Sequence, residues 1–208
     1  LYANGQGVPQ DYEQALAWTR KAAEHGYAAA QYNLGLAYDN GQGVSQDYAQ
    51  AAAWYRKAAE QGYAQAQYHL GALYGQGKGV SKDNSQALAW FRKAGEQGYA
   101  QAQYNLGVTY YNGQGMPQDY AQAAAWYLKA AEQGFAKAQY WLGVMYDRGQ
   151  GVPQNHSQAY MWAIIAATQG LEDAGEARDF AVKILTSAQV AEGQRMAREW
   201  IAAHEKGR

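Results

Sequence analysis

The sequence predicts an all-α solenoid of helical hairpins, because one pattern recurs every 36 residues along most of the chain. Aromatic, small and aliphatic positions all keep this spacing. A fixed period of this size is typical of stacked repeats, each of which contacts mainly its neighbours. The recurring residues are the tryptophans Trp18, Trp54, Trp90, Trp126 and Trp162, the glycines Gly26, Gly62, Gly98, Gly134 and Gly170, and the leucines Leu34, Leu70, Leu106 and Leu142.

The first half of each repeat is predicted to be a helix that ends in a glycine turn. In the repeat that starts near residue 28, Ala30, Leu34 and Tyr38 lie four residues apart, which places them on one face of a helix. Gly35 follows the apolar Leu34 and leaves room for a partner helix. Gly41 and the glycine two residues later permit left-handed backbone angles, so the helix is expected to end there.

The second half of the repeat is predicted to be a helix with a capped start and an aromatic core residue. Asp47 is the expected N-cap, with Gln50 three residues later as its capping-box partner. Trp54 shares the apolar side of this helix with Ala58, and Gly62 ends it. We expect Trp54 to be buried, so that Trp54→Ala lowers the free energy of unfolding by about 3–5 kcal/mol.

The C-terminal segment is predicted to cover the last repeat. The helix around Trp162 is apolar on nearly every side, so other helices should surround it. Two helices are expected after it, the second opened by a capping box of Thr186 and Gln189. Their apolar stripes are Ala174, Ala177, Ala181, Ile184 and Leu185 on one helix and Val190, Ala197, Trp200 and Ile201 on the other. We therefore predict repeats over 1–170 and a capping element with a polar exterior over 171–208.

The N-terminal end is expected to begin inside a repeat. Leu1 and Tyr2 align with Ala37 and Tyr38, so the earlier turns of that first helix would lie upstream in a longer protein. The side of the next helix that carries Trp18 should then be partly uncovered. We expect residues 1–10 to fray, or this end to associate with a second copy of the chain. No targeting signal is visible, and the sequence is compatible with both an exported and a cytoplasmic protein.

Composition and spacing argue against several classes of function. The net charge is -1, so the basic field that nucleic-acid binding usually needs is not expected. The longest apolar run is shorter than a membrane span, and the chain has no cysteine for a disulfide or a thiolate site. The histidines occupy unlike repeat positions, and the G-x-G loops lack the lysine of a phosphate-binding loop. We predict no catalytic residue, no cofactor and no metal site.

The repeat pattern resembles the Sel-one-like repeat, a relative of the tetratricopeptide repeat. The resemblance covers roughly residues 1–170 and departs in the last repeat, where Asn155 stands in place of the capping aspartate. It implies a right-handed superhelix of antiparallel helix pairs used for protein–protein contact, most often in bacteria. In one repeat the matching residues are Ala30, Leu34, Gly35, Tyr38, Gly41, Gly43, Val44, Asp47, Ala51, Trp54, Lys57, Ala58, Ala59, Gln61 and Gly62.

Candidate partner-binding residues are positions of the first helices that carry aromatic groups or differ between repeats. The related repeat architecture turns this face toward a concave groove. A tyrosine recurs two residues before each core leucine, and it could line the groove or pack between neighbouring repeats. The two positions that vary most are the one after this tyrosine and the one after the helix-ending tyrosine. The predicted partner-binding set is Tyr68, His69, Tyr104, Asn105, Tyr111, Tyr140, Trp141 and Asp147.

Trp141 is the predicted anchor of this set, because the equivalent positions hold the smaller Asn33, His69 and Asn105. The rival interpretation is that it packs against the C-terminal cap. The leading hypothesis for function is a non-catalytic adaptor that binds a peptide or another protein. The alternatives are an immunity protein that occludes a bacterial toxin, as some members of this family do, and a cell-wall-active hydrolase.

Overall fold

The computed structural model describes the backbone of residues 12–205 and the side chains of residues 14–204. Within this part the chain forms eleven α-helices and no strand, which confirms the predicted all-α repeat fold. The helices are α1 (Tyr12–Glu24), α2 (Ala28–Asn40), α3 (Tyr48–Glu60), α4 (Ala64–Gln76), α5 (Asn84–Glu96), α6 (Ala100–Asn112), α7 (Tyr120–Glu132), α8 (Ala136–Arg148), α9 (His156–Ala167), α10 (Glu172–Ile184) and α11 (Ser187–Glu205).

Each hairpin pairs a first helix with the second helix that follows it. The pairs are α2 with α3, α4 with α5, α6 with α7 and α8 with α9, while α10 and α11 pack on α9. The chain divides into two compact units, one that ends at Tyr99 and one that starts at Ala100. The first unit contains α1–α5 and the second α6–α11. The predicted repeat boundary at residue 170 stays a prediction, and the predicted fraying of residues 1–10 lies outside the described residues.

The turns follow the predicted chemistry with one difference. Gly41 closes α2 at φ 69°, and the Asp47 side chain accepts hydrogen bonds from the backbone N–H groups of Ala49 and Gln50. The backbone N–H of Asp47 itself donates to the carbonyl of Tyr38 at 2.9 Å. Because this N–H is already satisfied by α2, the capping-box bond expected from the Gln50 side chain is not needed. The start of each second helix is thereby fastened to the end of the first helix.

The aromatic residue at the centre of the hairpin is not the predicted tryptophan. Tyr55 is 0% exposed, whereas Trp54 is only half-buried, so the expectation for Trp54 was wrong. Both residues follow Ala51 at a helical spacing, and the ring of Tyr55 points into the hairpin against Gly35. Phe91 and Tyr127 are buried at the equivalent position.

The recurring tryptophans lie beside this core, and their exposure differs between repeats. Trp126 and Trp162 are buried, Trp90 is half-buried, and Trp18 is 61% exposed, as expected for the first of them. A lysine three residues later lies over the ring in four repeats, with Nζ to ring-centroid distances between 3.9 and 4.7 Å. The ammonium group and the lysine stem therefore shield one face of these rings from water.

Buried glutamines connect each hairpin to the turn before and after it. Gln31 donates from Nε2 to the carbonyl of Ala23 at 3.1 Å and accepts from Gln61 Nε2 at 2.7 Å. Because both ends of the amide are satisfied, this polar side chain can be buried without a large cost. The pairs Gln67–Gln97, Gln103–Gln133 and Gln139–Gln169 repeat the second bond at 2.7–2.8 Å.

The C-terminal helices cover α9 as predicted, but their exterior is not uniformly polar. Ala174 and Ala197 are buried, and the Thr186–Gln189 capping box forms with a Thr186 N–H to Gln189 Oε1 distance of 3.0 Å. Ile184 was expected in the apolar stripe of α10 and is instead exposed. It lies on the surface together with Phe180, whereas Ala174 on the same helix is buried.

Tyr55→Ala is expected to lower the free energy of unfolding by about 3–5 kcal/mol, because it empties the centre of a hairpin. Trp54→Ala should cost clearly less, since that ring is already half in water. Urea denaturation of both variants measures the difference. Equal losses, or a larger loss for Trp54→Ala, would contradict the assignment of Tyr55 as the core residue.

Candidate partner-binding surface

The candidate residues lie at the edge of the buried face of the first helices. On α4, Gln67, Leu70 and Gly71 face the hairpin interior, and the adjacent Tyr68 and His69 are half-buried. A helix turns by about 100° per residue, so side chains next to the core stripe present one edge to the core and the other to solvent. The half-exposed side chains at these positions of the first helices, on α2 and α4 in the first unit and on α6 and α8 in the second, are called the aromatic surface of each unit.

The rings of the recurring tyrosines each pack between two other aromatic rings. In the first unit, Tyr32 lies 5.9 Å from the Tyr55 ring and 5.2 Å from the Tyr63 ring. Tyr68 makes the same two contacts with Phe91 and Tyr99, at 5.8 and 5.4 Å. The two tyrosine rings therefore pack between neighbouring repeats, while one edge of each ring remains partly exposed to solvent. Burial also raises the pKa of Tyr32 to about 12.

His69 connects several aromatic groups in the first unit. Its ring stacks on Tyr55 at 5.1 Å, and its Nε2 lies 3.4 Å from the hydroxyl of Tyr32. The Tyr55 hydroxyl in turn donates to Asp39 Oδ2 at 3.0 Å. Burial lowers the pKa of His69, and the Asp39 carboxylate opposes this effect only in part. The folded protein thus favours the neutral imidazole.

Trp141 is the centre of the aromatic surface in the second unit. Its ring lies 5.4 Å from Tyr111, 5.8 Å from Tyr140 and 6.5 Å from Tyr127, with the last ring nearly parallel. All three partners belong to α6, α7 and α8. The ring contacts of Trp141 therefore belong to the repeats, which argues against the interpretation that it packs on the C-terminal cap.

The polar groups near Trp141 form hydrogen bonds with a tyrosine hydroxyl. Tyr111 donates to Gln150 Oε1 at 3.1 Å, and Arg148 approaches the same hydroxyl at 3.4 Å. The pKa of Tyr104 is raised by burial and lowered in part by a hydrogen bond with the Trp141 side chain. Asn105 lies half-buried beside Tyr104 on α6.

Asp147 has a different environment from the rest of the set. It is exposed at the end of α8, where its Oδ1 lies 2.9 Å from Nδ1 of His156 at the start of α9. The eight predicted residues thus fall into two groups. Tyr68 and His69 belong to the first unit, and the other six, Tyr104, Asn105, Tyr111, Tyr140, Trp141 and Asp147, belong to the second, where Asp147 lies at the end of α8.

Sequence reasoning missed the residues that support this surface. Tyr55, Phe91 and Tyr127 form the base beneath His69, Tyr68 and Trp141, and Asp39 holds the Tyr55 hydroxyl. Part of their signal is present in the sequence, because an aromatic residue directly follows Trp54, Trp90 and Trp126 at the 36-residue spacing. In the described part of the chain, no group of three or more metal-ligating side chains comes together, and no helix is long and apolar enough to cross a membrane.

The comparisons with known proteins define the class of this chain. The Sel1 repeat model matches residues 1–27, 28–63, 64–99, 100–135 and 136–171. The chain therefore belongs to the Sel1 repeat family, whose members are generally non-catalytic scaffolds for protein–protein interaction. No curated protein matches the chain significantly.

Two solved bacterial structures show the same repeats at substantial identity. A protective antigen of uropathogenic Escherichia coli strains with an SLR fold is 47% identical, with a TM-score of 0.81 over 83% of this chain and 37% of that chain. A Sel1 repeat protein from Oxalobacter formigenes is 43% identical, with a TM-score of 0.75 over 81% of this chain and 49% of that chain. The chain therefore spans less than half the length of each of these two relatives.

An immunity protein of Pseudomonas aeruginosa shares the fold at lower identity. It is 22% identical, with a TM-score of 0.54 over 94% of this chain and 76% of that chain. At this identity the likeness is one of fold.

The neutral state of His69 predicts a specific pH dependence of stability. An unfolded histidine takes up a proton near its ordinary pKa of 6.5, while folded His69 does so only at lower pH. Its favourable contribution is therefore complete above the unfolded pKa and is lost as the pH falls toward the lowered folded pKa.

His69→Asn, which copies Asn33 and Asn105, removes this contribution. Between about pH 7.5 and about pH 5.5 the melting temperature of the variant should fall less than that of the natural chain. Thermal unfolding by circular dichroism measures both. The same fall in the two proteins would contradict the assignment of a neutral, half-buried imidazole.

Proposed function

We propose that this chain is a non-catalytic scaffold that binds a peptide segment or protein domain on its aromatic surface. The observation that carries the proposal is that a buried aromatic ring recurs between repeats, whereas the half-exposed side chain that packs on it varies. The buried ring is tyrosine or phenylalanine at Tyr55, Phe91 and Tyr127, whereas the side chain above it changes from His69 to Trp141. A surface of this kind can acquire specificity in one repeat without disturbing the packing of the next.

The chemistry of the surface suits a polypeptide partner. Half-exposed tyrosine and tryptophan rings provide large contact areas with few rotatable bonds, and such residues dominate the binding energy of many interfaces. Arg148 and Gln150 add polar groups beside Tyr111, where they can pair with backbone or side-chain groups of a partner. The family as a whole uses its repeats for protein–protein contact, which supports the same assignment.

The other two hypotheses gain no support from the described residues. The fold shared with an immunity protein at 22% identity does not select a toxin as the partner. The pair of Asp147 and His156 could in principle serve a hydrolase, but it lies on the surface, and the neighbouring Ser157 is buried. We therefore assign no catalytic role to any residue.

Peptides selected on the intact chain from a random displayed library provide the test. Trp141→Asn, which copies the residue of Asn33 and Asn105, should weaken binding of the selected peptides by about 2 kcal/mol or more, roughly 30-fold. Isothermal titration at a temperature where both proteins are folded measures this loss. We also expect a lower melting temperature, because Trp141 contacts three other rings.

Trp18→Asn is the matched control, because Trp18 is an exposed tryptophan on α1 and outside the aromatic surface. It should leave peptide affinity unchanged. A library that yields no peptide with a dissociation constant below about 100 µM would count against a peptide-binding role. Peptides that bind equally well to the natural chain and to Trp141→Asn would count against the proposed surface.

A further inference from the structure

The last hairpin contains a cleft at the place where earlier hairpins contain packed rings. The cleft lies between α8, α9 and α10, wholly within the second unit, and has a volume of about 160 Å³. Its walls include Tyr140, Gly143, Asp147, Ala163 and Ala177. An apolar cavity of about 150 Å³ is large enough to hold a benzene ring. The cleft can therefore accept one aromatic side chain.

The position of the cleft follows from the repeat register. Three periods of 36 residues relate α4 to α10, since α4 starts at Ala64 and α10 at Glu172. The match extends to burial, because Ala66 and its equivalent Ala174 are both 0% exposed. The same shift relates Tyr32 to Tyr140, Gly35 to Gly143, Asp39 to Asp147, Tyr55 to Ala163 and His69 to Ala177.

The last hairpin keeps the surroundings of the ring and lacks the ring itself. In the first unit, Tyr55 stacks on His69, packs on Gly35 and donates its hydroxyl to Asp39. At the equivalent positions of α9 and α10 both aromatic residues are replaced by alanines, Ala163 and Ala177. The tyrosine, glycine and aspartate equivalents remain, and all of them line the cleft.

We propose that the cleft binds a tyrosine side chain of a partner protein, in the position that Tyr55 occupies in the earlier hairpin. The phenol hydroxyl would donate to Asp147, as the Tyr55 hydroxyl donates to Asp39. His156 contacts one oxygen of Asp147 at 2.9 Å, and an ionised carboxylate has about four acceptor positions, so capacity for the phenol remains. This complementarity of a donor and an anionic acceptor favours tyrosine over phenylalanine.

The rim of the cleft favours a polypeptide over a free phenol. Phe180 and Ile184 line the cleft and are each 60% exposed. Large apolar side chains at the mouth of a cavity can be covered by the residues that flank an inserted tyrosine. The inference rests on the proposed function and specifies one subsite for it.

The test uses N-acetyl-L-tyrosinamide as the probe, with N-acetyl-L-phenylalaninamide as its matched control. Nuclear magnetic resonance titration of the intact chain should show shifts confined to the residues of the cleft. The tyrosine probe should bind about 3- to 10-fold more tightly than the phenylalanine probe, the range expected for one hydrogen bond. Equal affinities, or shifts located elsewhere, would overturn the proposal.

A variant that restores the ring should close the cleft. Ala163→Tyr recreates the residue of the earlier hairpin, and it should weaken binding of the tyrosine probe by at least about tenfold. Ala177→Trp introduces the residue found at the equivalent position Trp141, and it provides a second way to fill the cleft if the first variant fails to fold. Ala125→Tyr is the control, because it places the same side chain on an exposed position of α7. Unchanged probe affinity in a folded closed variant would overturn the proposal.

The two proposals can fail separately. If selected peptides lose affinity with Trp141→Asn but bind Ala163→Tyr normally and the tyrosine probe gives no shifts, the cleft proposal fails and the scaffold function stands. If the probe binds and no peptide is selected, the cleft stands as a phenol site and the scaffold function fails. A concentration-dependent dimer that the probe dissociates would identify a second copy as the occupant and overturn the assignment to another protein.

Discussion

The contact between a glycine of the first helix and an aromatic ring of the second helix determines how the hairpins α2–α3, α4–α5 and α6–α7 pack. A methyl group at Gly35 would lie 2.6 Å from the nearest carbon of the Tyr55 ring, and one at Gly107 would lie 2.5 Å from Tyr127. Real side chains do not approach this closely, so only glycine allows the ring to lie flat against the helix backbone. The two helices can therefore come together around a full aromatic side chain.

This contact also explains where the variable residues are found. Two of the buried rings support a half-exposed side chain of the following first helix, since Tyr55 supports His69 and Tyr127 supports Trp141. The supporting ring is nearly invariant between the repeats, because its volume is fixed by the hairpin. The supported side chain is free to change. In the last hairpin Ala163 provides no ring, and the same geometry then leaves a cleft in place of packing.

Much of the fold could be predicted from the sequence, and the errors have physical causes. The period, the glycine stops and the N-caps are local signals, so the helices and turns were found correctly. Trp54 and Tyr55 are adjacent, both recur, and both lie one turn from Ala51, so the pattern alone could not distinguish them. Which of the two rings is buried depends on contacts with other residues. Lys57 lies over the Trp54 ring, and Gly35 leaves the space that the Tyr55 ring occupies. The aromatic surface could be outlined, but its supporting rings and the cleft depend on contacts between helices.

Unfolding of Gly71→Ala and Gly75→Ala tests the glycine–ring contact most directly, because the two substitutions lie one turn apart on α4. A methyl group at Gly71 would meet the Phe91 ring at 2.9 Å, whereas at Gly75 the nearest atom would be 3.7 Å away. In urea denaturation, Gly71→Ala should destabilise by about 1–3 kcal/mol. Gly75→Ala should be neutral or stabilise by up to about 1 kcal/mol through its helix propensity. Changes of the same sign and size in both variants would contradict the central role of the contact.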